Sequence, residues 1–190
     1  MGSGTSQALP EDQVQEYVDL TYLEKAEIQH IWKCFYAMDP GHVSINCNCC
    51  LPVAHLEEFL PQLKVNPFLD RLYDVFFQRR GSNGEFYFSF EQLLDMCSAL
   101  SPQCPENVKA KWAFRVFDFN NDGYIGEEDM MAIIDRLIQK KQLDTNEKKK
   151  IIENILKDVN LGKTGDISPR EFVHAVTKMP DFTFSFQFKV

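Results

Sequence analysis

The 190-residue chain carries 28 acidic against 20 basic residues, a formal net charge of −8. That balance argues against a nucleic-acid partner, which needs a basic face for phosphates, and suits a cation-binding protein with basic or amphipathic partners. No run approaches the roughly eighteen apolar residues of a membrane span and no secretory leader opens the chain, so the six cysteines are expected to be reduced cytosolic thiols.

Residues 1–20 are expected to be an N-terminal extension. Met1-Gly2-Ser3-Gly4-Thr5-Ser6 fits the N-myristoylation pattern, with Gly2 as acceptor and Ser6 at the favoured hydroxyl position; cloned starts can look the same. One acyl chain gives only marginal membrane binding and no basic cluster follows, so membrane contact would come only through this group or a partner. Glu11 to Leu20 forms a short amphipathic segment.

Residues 21–103 are expected to form an N-terminal lobe of two helix-loop-helix hands. Thr21-Tyr-Leu-Glu24 has the form of a capping box, opening a helix to about Ala37 with Leu23, Ile28, Ile31 and Phe35 inward. Asp39-Pro-Gly-His42 ends it. Val43 to Pro52 carries Cys47, Cys49 and Cys50 but no acidic ligand run, so this hand holds no calcium. Zinc with His42 or His55 is disfavoured, because structural zinc sites pair well-separated ligand couples. Asn66-Pro67 predicts a helix start with the stripe Phe68, Leu72, Val75 and Phe76. The loop Gln78 to Glu85 has charges wrong for a cation. Phe86 to Phe90 alternates like a short strand, and Ser89 with Gln92 caps a helix to about Leu100. Pro102 to Pro105 is the break between lobes.

Residues 104–179 are expected to form the C-terminal lobe. Asp118-Phe-Asn-Asn-Asp-Gly-Tyr-Ile-Gly-Glu-Glu-Asp129 has the chemistry of a twelve-residue calcium loop. Asp118, Asn120 and Asp122 offer oxygens at the first, third and fifth positions, and Gly123 takes the sharp turn at the sixth. Tyr124 offers its carbonyl, Ile125 the pairing position, and Gly126 leaves the ninth corner to a water. The twelfth position is Asp129 rather than Glu. A carboxylate one methylene shorter favours single-oxygen contact, and hence octahedral Mg²⁺ relative to Ca²⁺. The helix after it is expected to run through Lys141, presenting Met130, Ile133, Ile134, Leu137 and Ile138. Asp144 and Glu147 cap the next, whose apolar face is Ile151, Ile152, Ile155 and Leu156. A second loop, Asn160 to Glu171, keeps Gly165 sixth, Ile167 eighth and Glu171 twelfth, but Asn160, Gly162 and Thr164 stand at the early ligand positions. Asp166 falls where only the backbone normally binds. With so few carboxylates this site is weak or empty, and one ion, Ca²⁺ or Mg²⁺, is expected per chain.

Residues 180–190 form a hydrophobic tail. Phe182, Phe184, Phe186 and Phe188 among 16 phenylalanines cannot all face water. They are either fixed core or a plug in a groove lined by Phe114, Met130, Ile134, Ile152, Ile155 and Phe172.

These stretches together resemble the calcium- and integrin-binding protein family. The residues that carry the resemblance are Leu20-Thr-Tyr-Leu-Glu24, Asn66-Pro-Phe68, Phe88-Ser-Phe-Glu91, Ala113-Phe-Arg-Val-Phe-Asp-Phe119 and Met179-Pro-Asp-Phe182 with Ser185-Phe186. The resemblance implies an all-α EF-hand fold of two lobes with short loop-pairing strands, and two metal-free hands first. It also implies an Asp closing the third loop, an N-terminal myristoyl group, and a C-terminal segment near a partner groove. The fourth loop departs from the family's acidic pattern. Partners implied by the resemblance are amphipathic helices of integrin α tails, protein kinases and mechanotransduction channel subunits. The function expected is therefore a cytoplasmic adaptor, partly at the inner face of the plasma membrane. A kinase or phosphatase regulatory subunit, or a simple calcium buffer, is the alternative. His30, His42, His55 and His174 are scattered without a nucleophile-base pair, so no enzyme is expected.

Overall fold

The computed structural model describes residues 8–77, 79–80, 84–138, 143–159, 164–179, 181–182 and 186. It is an all-α EF-hand fold, its helices joined by loops and one small sheet. The contacts divide it at Cys104/Pro105 into two compact units.

In the N-terminal unit, α1 (Glu11–Leu20) leads into α2 (Lys25–Met38), and Val14, Ile28, Ile31, Trp32 and Phe35 are buried. The capping box of α2 is Glu24 with Glu27, not Thr21 with Glu24: the Glu27 carboxylate accepts the Glu24 N–H at 2.7 Å. Thr21 is spent locally, donating to the Tyr17 carbonyl at the end of α1 and accepting from Leu23 N–H. Ser98 of a later helix and Ser101 just past its end hold the link in place. Tyr22 N–H donates to Ser98 Oγ at 2.9 Å, and Ser101 Oγ donates to the Tyr22 carbonyl at 3.1 Å.

Asp39 ends α2 and caps α3 (Pro40–Ile45), so His42 lies inside a helix rather than in a terminating turn. Strand β1 (Leu51–Pro52) and α4 (Val53–Phe59) follow, then a 3-10 turn, Pro61–Val65. The next helix, α5 (Leu69–Phe76), begins only at Leu69. Asn66 accepts from Phe68 N–H in a turn before it, so Asn66-Pro67 precedes the helix instead of opening it. Strands β2 (Arg79–Arg80) and β3 (Phe86–Phe88) complete an antiparallel sheet of order β1-β3-β2, with Leu51 opposite Phe88. Helix α6 (Phe90–Leu100) carries the Ser89–Gln92 capping box. The core is aromatic: Trp32 meets Phe90 edge-on at 4.9 Å, and Phe35 lies 5.9 Å from Phe88 and 5.6 Å from Phe90. Such pairs contribute about 0.5–1.5 kcal/mol each beyond their buried area.

The C-terminal unit contains α7 (Glu106–Phe117), α8 (Glu127–Ile138), α9 (Thr145–Val159) and α10 (Pro169–Val176). The continuation of α8 toward Lys141 lies outside the described residues. Asp144 and Glu147 cap α9 reciprocally at 2.8 and 2.9 Å, and Ser168 with Glu171 caps α10. Phe172 of α10 sits edge-on between Phe114 and Phe117 of α7, at 5.6 and 6.0 Å. Ala110, Ala113, Met130, Ile134, Ile152 and Val176 close the core around them.

Candidate metal centre

Helix α7 stops at Asp118, whose N–H still donates to Phe114 O, because the next residues prefer turn geometry to helix. Asn121 (φ 56°) and Gly123 (φ 87°) both take left-handed backbone conformations and fold the loop back on itself. Helix α8 then opens with Glu127, Glu128 and Asp129 in its first turn, where carboxylates are favoured by the exposed N–H groups and the helix dipole.

The two end carboxylates are drawn inward. Asp118 is 6% exposed and Asp129 2%, values an acidic side chain reaches only when its oxygens are satisfied. Asp118 accepts N–H bonds from Asp122 and Gly123 at 3.2 and 3.0 Å. Asp129 accepts from Phe119 and Gly126, both at 2.9 Å. Each of these bonds uses one lone pair of one oxygen, and a carboxylate oxygen has two. The remaining donors are of the same hard type: the Asn120 amide oxygen, the Asp122 carboxylate and the Tyr124 carbonyl. All-oxygen donors with two buried carboxylates suit Ca²⁺ or Mg²⁺ and not a thiophilic metal.

Asp122 and Asn120 are engaged with each other and with the turn. Asn120 Nδ2 donates to Asp122 Oδ2 at 2.8 Å, and Asp122 Oδ1 accepts from Tyr124 N–H at 2.8 Å. Among the described residues no three acidic, histidine or cysteine side chains converge closely enough to hold an ion by themselves.

The second loop spans Asn160 to Glu171. Asn160 lies outside the described residues. Thr164 Oγ1 donates to the Asp166 carbonyl at 3.1 Å. Glu171 is spent at the start of α10, its Oε2 accepting from Ser168 N–H at 3.0 Å and Ser168 Oγ at 2.6 Å. Ile125 and Ile167 join the two loops through paired backbone bonds of 2.9 and 3.0 Å. One further approach was not legible from spacing: Asp166 Oδ1 lies 3.3 Å from where a Cβ on Gly126 would sit.

Of the residues expected to line a groove, Phe114, Met130, Ile134, Ile152 and Phe172 are buried in the core of this unit. Ile155 is 38% exposed, as is Ile151, and Leu137 of α8 is 62% exposed. Phe182 and Phe186 pack on the core, stacked on each other 6.1 Å apart. Gly2, Phe184 and Phe188 lie outside the described residues.

All six cysteines are free. His30 Nε2 lies 3.6 Å from Cys34 Sγ, a pair that spacing alone did not suggest, but burial pushes the Cys34 thiol up, away from the thiolate a nucleophile needs. His42 Nδ1 pairs with Asp39 at 2.7 Å, whose carboxyl is held low by His42's backbone N–H first and its ring second. Among the described residues no helix is long and apolar enough to cross a membrane.

The family model for an EF-hand domain pair matches residues 107–177, the unit that contains both loops. Over the whole chain, calcium and integrin-binding family member 2 of Drosophila melanogaster is 28% identical across 192 residues, covering 95% of each chain. The Homo sapiens member 2 is 29% identical across 184 residues with the same coverage, and the human member 3 is 28% identical across 182 residues, 94% of this chain and 95% of its own. The chain thus carries an EF-hand domain pair in its C-terminal unit, and along its whole length it is similar to calcium and integrin-binding family proteins.

Proposed function

We propose that the protein is a cytoplasmic adaptor that clasps an amphipathic cytosolic helix of a membrane protein, an integrin α tail or a channel subunit. In this reading Ca²⁺ or Mg²⁺ at Asp118, Asn120, Asp122, Tyr124 and Asp129 tunes the grip. The observation that carries the proposal is the pair Phe182 and Phe186, seated on the core of the same unit that holds the loop. A short aromatic segment on an apolar core has the chemistry of the helix-in-groove ligands that such units take. Ile151, Ile155 and Leu137 supply apolar surface on α8 and α9. The names of the relatives supply the integrin tail as the first helix to try.

The ion acts through geometry. Asp118 ends α7 and Asp129 stands in the first turn of α8, so an ion bridging them fixes how these two helices leave the loop. A myristoyl group on Gly2 would add a reversible membrane contact; intact-mass measurement after coexpression with an N-myristoyltransferase tests it. A kinase or phosphatase regulatory subunit would use the same apolar surface. A buffer would need no partner surface at all.

The test is calorimetric titration of an integrin α cytoplasmic peptide, a channel-segment peptide and a scrambled control, in calcium, magnesium and chelator. Asp118→Ala is expected to abolish the ion dependence and weaken peptide affinity about tenfold. Equal peptide affinity in all three solutions would overturn the ion-tuning, and no peptide binding in any would overturn the adaptor reading.

A further inference from the structure

We infer that Asp166, from the second loop, completes the cation site of the first loop at the corner that Gly126 leaves bare. The inference rests on the loop from Asp118 to Asp129 holding the ion. A calcium loop of this type uses its ninth residue to support the ion, often through a water. Here that residue is Gly126 and has nothing to offer. The antiparallel bridge decides what faces it. Ile125 and Ile167 exchange both backbone bonds, so the next pair across the two strands is Gly126 opposite Asp166. That pair is of the close, non-hydrogen-bonded kind, with side chains on the same side of the strands.

The distances agree. Asp166 Oδ1 lies 3.3 Å and Asp129 Oδ2 3.8 Å from the position a Cβ on Gly126 would take. A carboxylate oxygen from across the bridge thus lies within contact distance of the point where a ninth-position side chain would begin, as does an oxygen of the residue that closes the loop. It also accounts for an acidic residue at a position where a calcium loop needs only a backbone carbonyl. The second loop, short of carboxylates for an ion of its own, contributes one to its neighbour. The two loops then form a single site with one ion per chain.

Calorimetry on the full chain with Ca²⁺ and with Mg²⁺ tests this. Asp166→Asn is expected to keep one ion per chain and weaken its binding about tenfold, whereas Glu128→Gln, an equal charge removed from the exposed eleventh position, weakens it no more than about twofold. Moving the carboxylate in the double variant Gly126→Asp with Asp166→Ala is expected to restore the affinity to within about twofold of the natural chain. Asp166→Asn behaving like Glu128→Gln would overturn the inference. So would loss of a second, separate ion with the first unchanged, because Asp166 would then serve its own loop. If Asp118→Ala leaves binding intact, the site itself is elsewhere, and the failure belongs to the underlying reading.

Discussion

Ile125 and Ile167 are 2% and 4% exposed and are bonded to each other through both backbone N–H groups, although the two loops they belong to differ in ligand chemistry. The bridge makes the second loop part of the first loop's structure whether or not it holds an ion. Ile167→Ala is therefore expected to cost about 2–4 kcal/mol of unfolding free energy and to weaken cation binding at a loop where it supplies no ligand. Ile167→Val, which keeps the branched shape, is expected to cost about 0.5–1.5 kcal/mol. Urea unfolding with and without calcium measures both effects, and a cation affinity unchanged in Ile167→Ala would show that the loops are independent.

Gly123 is held at φ 87°, and nothing lies within 4 Å of where its Cβ would be. The space is open, so a substitution there costs only backbone strain. Gly123→Ala is expected to lose about 1–2 kcal/mol of stability and to bind the cation more weakly, because the sixth-position turn aims the neighbouring carboxylate and carbonyl. Gly123→Asn, which tolerates this conformation better, is expected to fall between the two. Thermal unfolding in chelator separates the strain from the loss of ion.

Features written within a few residues of sequence were legible, and features made by distant pairing were not. The loop from Asp118 to Asp129 carries its turn and its pairing residue in one stretch. The same holds for the caps at Ser89–Gln92, Asp144–Glu147 and Ser168–Glu171, each a reciprocal contact over three residues. Thr21 with Glu24 has the same form yet is not a box, because Thr21 finishes the preceding helix by donating to Tyr17 and leaves Glu24 to cap with Glu27. Leu51 pairs with Phe88, 37 residues further along the chain, and a strand of two residues has no periodicity to announce it. The register of Ile125 with Ile167 was open to inference; that Gly126 therefore faces Asp166 needed the side chain's reach as well.

Asp129 closes the loop with both oxygens already taking N–H bonds from Phe119 and Gly126. Lengthening the side chain brings it into reach for two-oxygen chelation, which calcium accepts and octahedral magnesium does not. Asp129→Glu is expected to raise the Ca²⁺ over Mg²⁺ preference about tenfold. Competition calorimetry reads the ratio directly, and an unchanged ratio would mean that the twelfth residue does not set ion choice.

Burial pushes the Cys97 thiol up to about 12, with Cys34 and Glu27 adding to the effect, whereas Cys47 is exposed. At pH 8, alkylation followed by intact mass is expected to modify Cys47 first, and Cys97 only as fast as the N-terminal unit opens. The sign for stability follows from a folded-state value raised above the unfolded one. Cys97 contributes fully below about 8.5, where both states keep the proton, and the contribution is lost as pH rises toward about 12. Tyr17, pushed up to about 12 by burial and then by Glu91, acts in the same direction. The urea midpoint of the N-terminal unit is expected to fall between pH 8 and pH 11, and Cys97→Ala to flatten part of that fall.

Phe182 and Phe186 distinguish a fixed tail from a displaceable one. Both are half-buried, stacked 6.1 Å apart and linked by a bond from Phe186 N–H to the Phe182 carbonyl. A segment held by two half-buried rings contributes about 1.5–3 kcal/mol at most per ring, within reach of a helix that buries more area in its place. The double variant Phe182→Ala with Phe186→Ala removes the rings and leaves the core of that unit without that cover. If the tail competes with a partner, the variant binds the integrin-tail peptide about tenfold more tightly, since the ligand no longer has to displace a segment already in place. If the tail is fixed core, the variant instead loses stability and gains no affinity. Peptide titration and urea unfolding on the same preparation decide between them, because only a competing tail moves the two readouts in opposite directions.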